Sequence, residues 1–112
     1  MQISVKTTND VKVLTIEGRL DTQTSPDAQL QLTQLIEEGD TKILVNLKKL
    51  DYISSAGLRV LLTAAKQLNT IDGKLRVCSL NDIVREIFDI SGFDIILPIS
   101  ATESEALEGF GD

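Results

Sequence analysis

Residues 42–47, KILVNL, form a short and near-continuous apolar run rich in β-branched side chains. A strand with one face in water would alternate apolar and polar residues. This run does not, so it predicts a strand buried on both faces, central in a sheet and covered by helices. The segments around it supply those helices. Before it, Ser25-Pro26 reads as a helix start, with serine capping the free N–H groups and proline in the first turn. Ala28, Leu32, Leu35 and Ile36 then share a face, and Gly39 ends the helix. After it, Leu58, Leu61, Leu62, Ala65 and Leu68 recur at helical spacing.

The rest of the chain extends the pattern. QISVKTTNDVKVLTIEG reads as a β-hairpin turning at Asn9-Asp10. Asp72-Gly73 turns into a strand, KLRVCSL. Asn81 caps a helix in which Val84, Ile87 and Phe88 share a face and which Gly92 stops. FDIILPI reads as a short strand weakened by Pro98, and TESE at 102–105 as a capping box for a last helix carrying Leu107. The order β-β-α-β-α-β-α-β-α predicts a single α/β domain over residues 1–112. Its expected sheet is mixed, of four to five strands, with about four helices packed largely on one side.

Composition removes several functions. With 17 acidic and 11 basic residues the chain carries −6, and its only basic cluster is Lys48-Lys49. Nucleic acid and anionic membranes are therefore disfavoured as direct partners, since phosphate contacts need grouped Lys and Arg. There is no histidine, which excludes Ser–His and Cys–His nucleophile systems and histidine metal sites. The single cysteine, Cys78, lies in an apolar strand and reads as a small buried hydrophobe. Neither a signal-peptide pattern nor an apolar run near ~18 residues occurs, so the expected location is cytoplasmic, with no cofactor or metal.

DYISSAGLRVLLT, residues 51–63, is the segment whose purpose is least explained by folding. Four small residues, Ser54 to Gly57, precede a strongly apolar helix. Capping, catalysis and modification are the three readings. Catalysis lacks a base: no histidine exists, and no lysine stands three residues after either serine. No nucleotide-binding glycine pattern occurs either. One serine as N-cap, worth about 1 kcal/mol, leaves the second serine, Ala56 and Gly57 unexplained. A hydroxyl at an exposed helix N-terminus, beyond the end of a parallel strand, is a physically sensible phosphorylation site. The helix dipole tolerates the phosphate while a partner surface feels its charge.

Taken together, Gly18-Arg19-Leu20-Asp21, KILVNL, LDYISSAGLRVLL, LRVCSL and VREIFDISGFDII resemble the STAS domain of bacterial anti-sigma factor antagonists, from about residue 3 to 108. The resemblance implies a protein, not itself an enzyme, that binds an anti-sigma factor and so releases a sigma factor. That partner is also an ATP-using serine kinase, whose phosphorylation of the antagonist weakens binding, and a PP2C-type phosphatase reverses the modification. It further implies phosphorylation at Ser55, two positions before the motif glycine, Gly57. The implied partner-binding residues are Asp21, Thr22, Ser54, Ser55, Ala56, Gly57 and Arg59. Ser54 stands where many members have Asp, Ala56 where they have Ser or Thr, and Arg19 where they have Glu. The other readings are a STAS module of a signalling scaffold or transport system, and a serine-dependent enzyme.

Overall fold

The computed structural model describes residues 1–110; residues 111 and 112, which close the expected domain, lie outside the described residues. Strands β1 (Gln2–Thr8) and β2 (Val11–Leu20) form the antiparallel hairpin, with Thr8 opposite Val11. Asn9 and Asp10 both take positive φ, 51° and 68°, the turn backbone whose twist matches that of the flanking strands.

Helix α1 (Ser25–Glu37) begins one residue earlier than the expected serine cap. Its N-cap is Thr24, which makes no side-chain cap bond, and Ser25 is already helical. The Ser25 hydroxyl is buried and donates back to the Asp21 carbonyl, so this serine ties down the preceding loop.

Strands β3 (Lys42–Asn46) and β4 (Leu50–Ile53) follow, then helix α2 (Ser55–Asn69) and strand β5 (Lys74–Cys78). The sheet runs β1-β2-β3-β5-β6, where β6 is Ile99–Ser100, and is parallel after the hairpin. Strand β3 is at its centre, and Ile43, Leu44, Val45 and Leu47 are fully buried. Alternate residues of β3 serve two layers. Ile43 and Val45 belong to the main core, under α1, α2 and α3 (Asp82–Ser91), while Leu44 joins Val11, Val13 and Cys78 on the opposite face. That face is covered by α5 (Glu103–Glu108) through Ala106, with Phe110 just beyond it. Burial pushes the Cys78 thiol up and keeps it protonated.

Among the described residues the sheet has six strands, and the additional one is β4. Strand β2 is long enough to outrun β3. It pairs with β3 from Lys12 to Thr15, then with β4 from Gly18 opposite Leu50 to Leu20 opposite Ile53, with a register shift between Gly18 and Arg19. FDIILPI is also different from expectation. Phe93–Ile96 forms a single helical turn, α4, and only β6 (Ile99–Ser100) pairs with β5. In the last helix Thr102 accepts from the Glu105 N–H as a cap, but the buried side chain is Ala106, with Leu107 only half-buried.

The core face of α2 holds Leu58, Leu61 and Leu68 as its spacing implies, and extends further to one side. Val60 and Ala64 are buried, whereas Leu62 and Ala65 are half-buried beside a groove leading to α4. Helix α1 packs along α2 on the Val60 side, which periodicity within one helix does not report.

Candidate functional site

Two parallel strands end side by side and launch the site. Leu20 closes β2 opposite Ile53 of β4, and the Ser54 N–H donates to the Leu20 carbonyl at 2.9 Å. Loop 21–24 and residues 54–55 therefore leave the same end of the sheet as neighbours. In parallel α/β sheets this carboxyl end is where ligands and partners bind.

The two serines have different positions. Ser54 is the N-cap of α2, in extended backbone, and its hydroxyl accepts from the Gly57 N–H at 3.3 Å. An aspartate there would cap as well, so serine at this position keeps the cap and removes a charge. Ser55 is the first helical residue and is exposed, and among the described residues no hydrogen bond engages its side chain. The first turn of α2 contains no acidic residue. No carboxylate of the helix itself answers its partial positive charge.

Gly57 faces inward. It is buried, and a Cβ there would stand 2.7 Å from the Leu20 carbonyl oxygen and 2.8 Å from the Ile53 side chain. The close approach that this glycine permits is thus α2 against β2, within the fold. An incoming surface meets half-buried Ala56 and exposed Arg59 instead.

Asp21 is less free than a surface carboxylate expected to point at a partner. Its Oδ1 accepts from the Gln23 N–H at 3.0 Å, the Thr24 N–H at 3.2 Å and the Thr24 hydroxyl at 3.3 Å. The Thr24 amide above all, helped by the Gln23 amide, holds its carboxyl below the usual range despite some desolvation. Oδ2 lies 3.7 Å from Arg19 Nε, and the Arg19 guanidinium sits over the Tyr52 ring, 4.6 Å from its centroid. Asp21 shapes the loop that presents exposed Thr22.

Between α1 and α2 runs a groove of about 550 Å³, lined by Thr22, Pro26, Leu30, Ala56, Arg59 and Val60. The fold thus gathers Asp21, Thr22, Ser54, Ser55, Ala56 and Arg59 at one end, and sets Gly57 beneath them. Leu30 and Tyr52 are site residues that the sequence reading did not single out. Leu30 is exposed although apolar and lies off the core face of α1. A leucine off the periodic face is the signal that identifies it. Among the described residues, no group of His, Cys, Asp and Glu is placed to hold a metal ion, and no helix is long and apolar enough to cross a membrane.

Residues 2–106 match the STAS domain family. The chain belongs to that family. This STAS domain is 34% identical over 110 residues to BtrV of Bordetella bronchiseptica, named a candidate anti-sigma factor antagonist, with 98% of this chain and 95% of that one covered. It is 32% identical over 108 residues to the anti-sigma F factor antagonist of Paenibacillus polymyxa, covering 96% and 92% of the two chains. The Bacillus cell fate determinant SpoIIAA, in its phosphorylated form, shares the fold. Its TM-score is 0.74 at 22% identity, with 97% of this chain and 99% of that one covered.

Proposed function

We propose that this STAS domain is an anti-sigma factor antagonist switched at Ser55. Unphosphorylated, it docks an anti-sigma factor that is also an ATP-using serine kinase, and so frees the sigma factor that the kinase holds. The kinase transfers the γ-phosphoryl group of ATP to the Ser55 hydroxyl, ADP leaves, and the complex separates. A PP2C-type phosphatase hydrolyses the phosphate and restores the binding form. The domain works in the cytoplasm as substrate and ligand of enzymes, without a cofactor and without touching DNA.

The observation that carries this reading is the division of labour between the serines. Ser54 caps α2, which leaves the Ser55 hydroxyl exposed at the helix N-terminus beside the α1–α2 groove. The Paenibacillus relative supports the sigma-factor system, and SpoIIAA supplies a phosphorylated protein of the same fold. The electrostatics fit a switch. Phosphate adds about −1.5 to −2 charges to a domain already at −6. At an interface such charge costs several kcal/mol, and ~3 kcal/mol lowers affinity more than ~100-fold. The fold itself tolerates the group, because the dipole favours an anion there and Arg59, one turn along α2, is within reach of it.

Mass spectrometry after incubation with the cognate kinase and ATP tests the assignment. Phosphate is expected on Ser55, in the wild type and in Ser54→Ala alike. Phosphate on Ser54 with Ser55 unmodified overturns it.

A further inference from the structure

We propose that the outer face of α3, continued onto α4, is a second docking surface that takes a cationic amphipathic helix of a partner protein. This inference does not rest on the Ser55 reading. Among the described residues eight large apolar side chains are exposed, and half of them, Ile83, Ile90, Ile95 and Ile96, fall within 14 residues. Ile83 is 61% exposed, Ile90 80% and Ile95 86%. Isolated exposed apolar residues need no explanation, but a concentration of them marks an interaction site.

The helix geometry makes this a stripe. The core face of α3 is Val84 and Phe88. Ile83, Ile87 and Ile90 are spaced by four and three residues along one line beside that face, and only Ile87 is partly covered. The apolar arc of α3 is therefore wider than the part of it that the core uses. Spacings of four and three are those of a helix–helix seam, where a second helix lays its own apolar residues between them. Gly92 takes φ +78° at the end of α3, and α4 packs against α3 beyond this corner. The exposed Ile95 and Ile96 thus come directly after the stripe.

Charge selects the occupant. Asp82, Glu86, Asp89 and Asp94 lie on this segment against one cation, Arg85, which is engaged by Asp89 at 3.3 Å. Among the described residues Asp82, Glu86 and Asp94 make no ion pair. Half of the net charge of the whole chain is carried here. A second copy would bring the same acids against them, and an anionic bilayer would be repelled likewise. A partner helix with an apolar seam and flanking Lys or Arg satisfies both the stripe and its rim.

The test uses the full chain, isotopically labelled for NMR, and two synthetic helices of about three heptads with leucine seams. One carries lysines beside the seam and the other glutamates. The lysine peptide is expected to shift amides between residues 83 and 96, to bind more weakly as salt rises, and to lose about tenfold or more in affinity against Ile90→Ser. Ile83→Ser provides a second variant should Ile90→Ser melt early. Ser55→Asp is expected to bind the peptide as the wild type does. No binding, equal binding of the glutamate peptide, shifts confined to the α1–α2 groove, or equal loss in Ser55→Asp each overturn the proposal. Self-association through α3, or binding of anionic vesicles sensitive to Ile90→Ser, overturns it too.

Discussion

Helices α2 and α3 start in the same way and end up with opposite electrostatics. Ser54 accepts from the N–H three residues on at 3.3 Å, and Asn81 does the same at 2.8 Å. At α3, however, the side-chain amide of Asn81 also donates to the Leu50 carbonyl, and Asp82 follows in the first turn. That helix end is tied to the sheet and its dipole is answered. At α2 the cap is a longer single bond, no acid follows, and an exposed hydroxyl stands in the first position. The lesson is that a cap meets the needs of the backbone and leaves the field of the helix available. α3 spends that field on its own aspartate, whereas α2 keeps it for an anion from outside.

The largest effect expected from this contrast is on binding. Ser55→Asp is predicted to lower affinity for the anti-sigma kinase more than ~100-fold, about 3 kcal/mol, with an unchanged melting temperature; titration calorimetry and thermal denaturation together check this. An aspartate at 55 that binds as the wild type does breaks the contrast. Next comes Gly57→Ala, which drives a methyl to within 2.7 Å of the Leu20 carbonyl. A loss of roughly 2 kcal/mol or more in urea unfolding is expected, since backbone yields less than a side chain. Asn81→Ala removes a cap and a tie to β4 together and is expected to cost about 2 kcal/mol, while Ser54→Ala costs about 1. Equal losses at the two caps would mean that the Leu50 tie contributes nothing.

The smallest effect is a titration at the α2 end. The folded-state pKa of Asp21 is depressed, so its contribution to stability is present above the unfolded value and disappears as pH falls through the folded one. Amide resonances of Gln23 and Thr24 should follow this step below the ordinary carboxylate range. A midpoint at an unperturbed aspartate value would remove the hydrogen bonds from Asp21 to its loop.

How legible each part was depends on how local its cause is. KILVNL declared the central strand because burial on both faces leaves no polar alternation. Asn9-Asp10, Asn81 and Gly92 declared their turn, cap and helix end because those conformations are stabilised within a few residues. Strand β4 escaped notice because LDYI, with Asp51 exposed and Tyr52 half-buried between two buried ends, lacks a strand's period. It forms because β2 continues past β3 and its backbone needs a partner. FDIILPI carried strand composition, yet the corner at Gly92 and the imide of Pro98 left only two residues to pair.

The site divides along the same line. Sequence alone determined that a serine pair precedes an apolar helix, that no histidine is present to activate it, and that the segment resembles a phosphorylated motif. These depend on residue identity and short spacing. Tertiary structure alone decided which serine caps and which stands free, that Gly57 serves the approach of α2 to Leu20, and that Asp21 is held by its own loop. It also set Leu30 and Arg59 across one groove, and left the outer isoleucines of α3 uncovered. The approach of Gly57 to Leu20, the groove and the uncovered isoleucines are contacts, or missing contacts, between segments far apart in the chain. The local bonds of Ser54 and Asp21 form on the backbone that those contacts set. Periodicity shows which side of a helix is apolar, and only packing decides how much of that side is used.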